Sequence, residues 1–126
     1  MILIVDDEEY IRSFVRQLAE RAGYEVAEAA SGDEALRVLR QLKERPELLL
    51  TDIVMPGMSG LELAAQAHHI QPSMPVIFMS GFASQYEEEL SGSVCLRKPF
   101  RAPELLAAIQ DVIGPAHPLK DTSGAA

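Results

Sequence analysis

Four short runs, apolar or nearly so, each end in a polar residue: Ile2–Val5 before Asp6 and Asp7, 48–51 before Asp52, 76–79 before Ser80, and Val94–Arg97 before Lys98. Continuous apolar runs of this length are expected of strands covered on both faces, as in a parallel sheet. In such a sheet all strands point the same way, so residues at their carboxyl ends converge on one rim, where ligands bind. Three carboxylates, a hydroxyl and an ammonium are therefore expected to face one another.

Helical patterns fill the intervals. Ile11, Phe14, Val15, Leu18 and Ala22 recur at helical spacing over 9–22, and Gly23 ends that helix. A more alternating strand is expected over 24–28. Ser31 with Glu34 and Ser59 with Glu62 have capping-box spacing and open the second and third helices, the third running to about Ile70. A short helix is expected over 83–90 and a last one from near Pro103 through Ile113. Five βα units with right-handed crossovers predict a doubly wound five-stranded α/β sheet, helices on both faces, in the flavodoxin-like order 2-1-3-4-5. That order places strands one, three, four and five side by side. One domain, 1–113, and a flexible C-terminal tail, 114–126, are expected.

The 126 residues, 48% hydrophobic, suffice to bury roughly two-thirds of the unfolded surface in one domain. A formal charge of -8 argues against nucleic acid and anionic membrane as partners, because both require surplus Lys and Arg. Cys95 is the single cysteine, which excludes an internal disulfide and a Cys-based zinc site. The start lacks a basic region and its apolar run is too short for a signal peptide or a membrane span, so a cytoplasmic protein is expected.

Carboxylates held together need compensation, since two unit charges ~4 Å apart at an effective dielectric of ~20 repel by about 4 kcal/mol. A hard dication fits, and Mg2+ takes one or two carboxylates and completes its shell with water and phosphate oxygens. Three carboxylates, one Lys and one Mg2+ sum to zero, a balance suited to an arriving phosphoryl group. Asp52, on the central strand, is the expected nucleophile, because a carboxylate can attack phosphorus to give an acyl phosphate. Lys98 and Ser80 are expected to bind the phosphoryl oxygens.

Val5-Asp6-Asp7-Glu8, the stretch from Thr51 through Asp52, Pro56 and Gly57 to Gly60, Met79-Ser80-Gly81 and Lys98-Pro99-Phe100 together resemble the receiver domain of two-component response regulators. The resemblance spans residues 2 to about 113, and its four motifs fall in order at the ends of successive predicted strands. It implies that Asp52 accepts phosphate from a histidine kinase or histidine phosphotransfer protein. It further implies Asp7 as the direct Mg2+ ligand, Asp6 acting largely through water, and the backbone carbonyl of Val54 as a further ligand. Gly81 matches the small residue where the phosphoryl group enters, and the Lys98-Pro99 peptide is expected to be cis. The stretches 49–60 and 76–83 look especially like receivers attached to hybrid sensor kinases, so a free-standing chain and an isolated domain are both open. A signalling switch that acts only on its own aspartate, rather than an enzyme, is implied, with a homodimer possible through the helix at 83–90, the last strand and the last helix.

The pattern departs from the family at Cys95, where an aromatic residue usually couples the hydroxyl of strand four to the surface; Phe82 or Tyr86 is the expected substitute. Apolar Val54 and Phe82 beside the site cannot orient water, so a comparatively long-lived phosphoryl group is expected. Ile11 and Phe14 are by default core residues, although the family docks its kinase near the start of this helix, where Tyr10 and Arg12 also lie. His68 and His69 are adjacent and do not share a helix face, so a solvated helix end is expected rather than a metal site. The run 87–89 reads as a solvated acidic face, and Cys95 as a small buried hydrophobe. Two competing functions remain: a haloacid-dehalogenase-like phosphatase, which needs an Asp-x-Asp pattern after strand one where residue 8 is Glu, and a receiver-like module acting without phosphorylation.

Overall fold

Every residue of Ile2–Val5 and of Leu48–Asp52 is buried, and the two strands lie side by side at the centre of a five-stranded parallel sheet. The computed structural model describes residues 1–81 and 93–116. Its elements are β1 (Ile2–Val5), α1 (Glu9–Arg21), β2 (Val26–Ala29), α2 (Gly32–Gln41), β3 (Leu48–Asp52), α3 (Gly60–Ile70), β4 (Val76–Ser80), β5 (Val94–Arg97) and α4 (Ala102–Ile113). The strand order is β2-β1-β3-β4-β5, as the sequence predicts. The helix expected over 83–90, with Phe82, Tyr86 and the acidic run 87–89, lies outside the described residues, as does the tail from 117 on.

The period of two along each strand explains the unbroken apolar runs. Ile2, Ile4, Leu48 and Leu50 pack on one face with Val15 and Ala19 of α1 and Leu105 and Ile109 of α4. Leu3, Val5 and Leu49 point the other way, against Leu36 and Leu39 of α2 and Leu63 and Ala67 of α3. With both faces covered, no residue of β1 or of 48–50 in β3 has a solvent side to fill with a polar group.

Differences from the expected boundaries have local causes. β2 starts at Val26 rather than residue 24, because the backbone at 22–24 is still closing α1: Gly23 N–H donates to the Glu20 carbonyl and Tyr24 N–H to the Ala19 carbonyl. Gly23 has φ +98°, a left-handed conformation that glycine adopts without strain. The Tyr24 hydroxyl donates to the Gly114 carbonyl at 2.7 Å, tying the end of α4 to the start of the second strand. β4 extends to Ser80, whose carbonyl accepts from Lys98 N–H.

Of the two expected capping boxes, Ser59 and Glu62 form the complete reciprocal pair. Ser31 Oγ accepts from Glu34 N–H, but the Glu34 carboxylate takes the N–H of Ala30 instead of that of Ser31. At the start of α4 the Glu104 carboxylate accepts from Arg101 N–H, while the Arg101 side chain, which carries only donors, cannot accept the Glu104 N–H and pairs with its carboxylate instead.

The start of α3 is pressed against the end of β3. Gly60 N–H donates to the Ile53 carbonyl at 2.8 Å, and a Cβ on Gly60 would lie 2.0 Å from the Asp52 carbonyl oxygen. That obstacle is backbone and cannot swing aside. Gly60→Ala is therefore expected to cost about 3 kcal/mol, the upper range for forcing a methyl into a packed position. Urea unfolding of the variant beside the wild type measures it, and a loss under about 1 kcal/mol would contradict the close approach.

Candidate functional site

Asp6 and Asp7 follow β1, Asp52 closes β3, Ser80 closes β4 and Lys98 follows β5, so the parallel order delivers all five to the same rim. One carboxylate oxygen from each of Asp6, Asp7 and Asp52 lies within 4.8 Å of the others. Asp6 and Asp52 are buried, whereas Asp7 is exposed. Lys98 Nζ donates to Asp6 Oδ2 at 2.9 Å and stands 3.3 Å from Asp52 Oδ2. The Lys98-Pro99 peptide is cis.

Each buried carboxylate is also held by backbone. Asp6 Oδ1 accepts from Glu8 N–H and Asp52 Oδ1 from Ile53 N–H, both at 2.9 Å. The Thr51 hydroxyl, fully buried, donates to the Asp52 carbonyl at 2.9 Å. Ser80 is 1% exposed and sits in register with Arg97, one residue beyond Met79, the register partner of Asp52. Val54, two residues beyond Asp52, is by contrast 47% exposed.

Three carboxylates against one ammonium leave two negative charges, and their closeness shows in the protonation of the site. Burial pushes the Asp52 carboxyl above its usual 3.8; Lys98 opposes this, and Asp6 adds to it. Burial disfavours the Lys98 cation, but the hydrogen bond to Asp6 and the charges of Asp52 and Asp6 together outweigh it and raise its pKa. An oxygen-only donor set with a surplus charge of two suits a hard divalent cation, so the cluster is one that can hold a metal ion.

Beside Lys98 an apolar groove of about 380 Å³ is lined by Tyr10, Ile11, Phe14, Lys98, Pro99 and Phe100. Ile11 is half-buried against the core, as expected, but Phe14 is 43% exposed and stacks at a tilt on Phe100, ring centroids 6.5 Å apart. Phe14 is thus a wall of the groove and not a core residue. Elsewhere, His68 Nε2 lies 2.9 Å from the Met74 carbonyl, which gives that ring a structural role. Cys95 is half-buried against Ile53, Ala64 and its register partner Phe78, and burial raises its thiol pKa.

The residue whose place the sequence did not disclose is Arg12. Its guanidinium reaches back from α1 to the Asp6 backbone carbonyl at 2.7 Å. The signal available was Glu28, a charge on a strand otherwise written Val-Ala-Ala, which Arg12 and Arg16 both engage.

Known proteins share this fold. The family model described as "Response regulator receiver domain" matches residues 2–110. The response regulator receiver protein CpdR of Brucella abortus is 36% identical over 117 residues, covering 89% of this chain and 95% of CpdR. Sporulation initiation phosphotransferase F of Bacillus subtilis is 34% identical over 113 residues, covering 86% and 90% of the two chains. Among solved structures, the response regulator TrrA of Thermotoga maritima, in complex with Mg(2+)-BeF, superposes with a TM-score of 0.78 at 30% identity, covering 88% of this chain and 96% of TrrA.

The raised Asp52 pKa has a thermodynamic consequence in the metal-free protein. The folded state holds that proton to higher pH than the unfolded chain, so this group favours folding most below its ordinary value near 3.8 and less as pH rises through the raised one. In EDTA at pH 7, Asp52→Asn is expected to melt above the wild type, with the difference shrinking as pH falls through the raised value toward 3.8. Melting curves across that range check it; a variant that melts lower at pH 7 contradicts it.

Proposed function

This chain belongs to the response regulator receiver domain family, and from that premise we propose that Asp52 is the phosphoacceptor through which it works. Receivers are the phosphoacceptor switches of two-component signalling, and that is the function of this chain. The observation that carries the residue assignment is Lys98 Nζ bridging Asp6 and Asp52 within a cluster of three carboxylates.

We assign the metal to Mg2+, held by Asp6, Asp7 and Asp52, with the Val54 carbonyl as the further ligand the family resemblance implies. TrrA, bound to Mg(2+)-BeF, supports that choice of ion. When bound, Mg2+ supplies the two positive charges that let an anionic phosphoryl group approach these carboxylates. An Asp52 carboxylate oxygen then forms the new O–P bond, while the P–N bond of the partner's phosphohistidine breaks with its electron pair going to the imidazole nitrogen. Lys98, already 3.3 Å from Asp52, transfers its hydrogen bonding from carboxylate to phosphoryl oxygen. Ser80, at the end of β4, donates to the same group, and Gly81 leaves the entrance open. The chemistry is confined to the protein's own aspartate, with no external metabolite turned over.

The intact set Asp6, Asp7, Asp52, Ser80 and Lys98 speaks against a module that acts without phosphorylation. The family match also displaces the haloacid-dehalogenase-like alternative, whose nucleophile would follow strand one. The groove of Tyr10, Phe14 and Phe100 is read as the seat of the kinase or phosphotransfer helix, because Lys98 belongs to both the groove and the carboxylate cluster.

Acetyl phosphate with Mg2+ is expected to add one phosphoryl group, seen by intact mass, to the wild type and none to Asp52→Asn or in EDTA; modification that persists in Asp52→Asn would overturn the assignment. Phe14→Asp is expected to slow transfer from a phosphohistidine donor protein at least about tenfold while leaving acetyl phosphate labelling within about twofold, the cost of truncating one aromatic anchor. Equal slowing with both donors would remove the groove from the docking role.

A further inference from the structure

Arg12 lies on α1, outside the carboxylate cluster, and its guanidinium makes contacts in two directions. Nη1 donates to the Asp6 backbone carbonyl at 2.7 Å, and Nε donates to Glu28 Oε1 at 3.1 Å. Glu28 Oε2 is in turn held by Arg16 Nη1. The paired ladder of β1 ends at Val5, opposite Ala29 and Thr51. Beyond it, among the described residues, the carbonyl of the peptide that joins Asp6 to Asp7 is held by the Arg12 side chain.

That peptide sets how the two carboxylates diverge. Asp6 is buried and fixed by Glu8 N–H and Lys98, but Asp7 is exposed. The direction of the Asp7 side chain therefore follows from the orientation of the Asp6–Asp7 peptide. We infer that Arg12 is a positioning residue for the acidic pair, clamping this peptide to Glu28 of β2 so that Asp6 and Asp7 present their oxygens to one divalent cation. The inference rests on the reading of Asp6, Asp7 and Asp52 as a Mg2+ site. An arginine suits the role because a planar guanidinium offers donors in fixed, divergent directions, whereas a lysine ammonium is a point at the end of a flexible stem.

The competing role, a salt bridge that only fastens α1 to β2, predicts the opposite sign for metal binding. As a charge alone, Arg12 repels a dication, so neutralising it would tighten Mg2+ binding. As a clamp, its removal loosens the ligand pair and weakens binding by about tenfold, the lower range for partners that orient metal ligands.

The test is calorimetric titration of the full chain with Mg2+ at constant ionic strength, with melting in EDTA recorded for each protein. Arg12→Gln and Arg12→Lys are both expected to weaken Mg2+ about tenfold while remaining folded at the titration temperature. Arg12→Lys keeps the charge and serves as the second variant should Arg12→Gln fail to fold. Unchanged or tighter binding in either folded variant overturns the inference. Asp7→Asn separates the two readings: if it binds Mg2+ as well as the wild type, or if the wild type binds none, the metal-site assignment itself falls and the role of Arg12 with it.

Discussion

The bridge from Lys98 to Asp6 and Asp52 is the interaction on which the rest of the site depends. Taking an ion out of water costs several kcal/mol even after relaxation, and Asp6 and Asp52 are both buried. Without a shared cation the two would have to bind protons or pull apart. Lys98 lies just beyond β5 at the edge of the sheet, yet its ammonium reaches the residue that follows β1. It thereby ties the far strand to the centre across the ends of β3 and β4. Lys98 also lines the groove beside α1, so the groove and the carboxylate cluster share a residue.

Balance at this rim is deliberately incomplete in electrostatic terms. The cluster carries an excess of two negative charges, which repels an anionic phosphoryl group and attracts a small dication. On the proposed reading, charge alone sets the order of events: the cation is in place before phosphate comes close. Short-range contacts hold Asp52 in place. Ile53 N–H and Thr51 Oγ fix both ends of the Asp52 residue, and the start of α3 rests on its carbonyl.

Most of this was written in the sequence at the level of strand ends. Alternating faces covered by helices demand unbroken apolar runs, so β1 and β3 were legible as buried strands and their trailing Asp residues as rim groups. The place of Phe14 was not legible, because helical spacing reports which residues share a face and not how far the facing element extends; only the approach of Phe100 turns that ring into a groove wall. Glu34 misled for a similar reason. Capping-box spacing is satisfied in sequence, but the carboxylate found the N–H of Ala30 nearer than that of Ser31. Arg12 was read only as a neighbour of the docking helix, since nothing local ties residue 12 to the carbonyl of residue 6 or to a carboxylate sixteen residues on.

Glu28 has a bearing on colloidal behaviour as well. β2 is an edge strand of four residues, and exposed edges are templates for pairing with other chains. Here the edge is short and carries an inward charge locked by Arg12 and Arg16. A foreign strand docking alongside β2 would meet a segment too brief for a long ladder and pinned by an ionic network to the helix above. The protein thus guards an open end of its sheet against self-recruitment with the same arginine that touches the carboxylate rim.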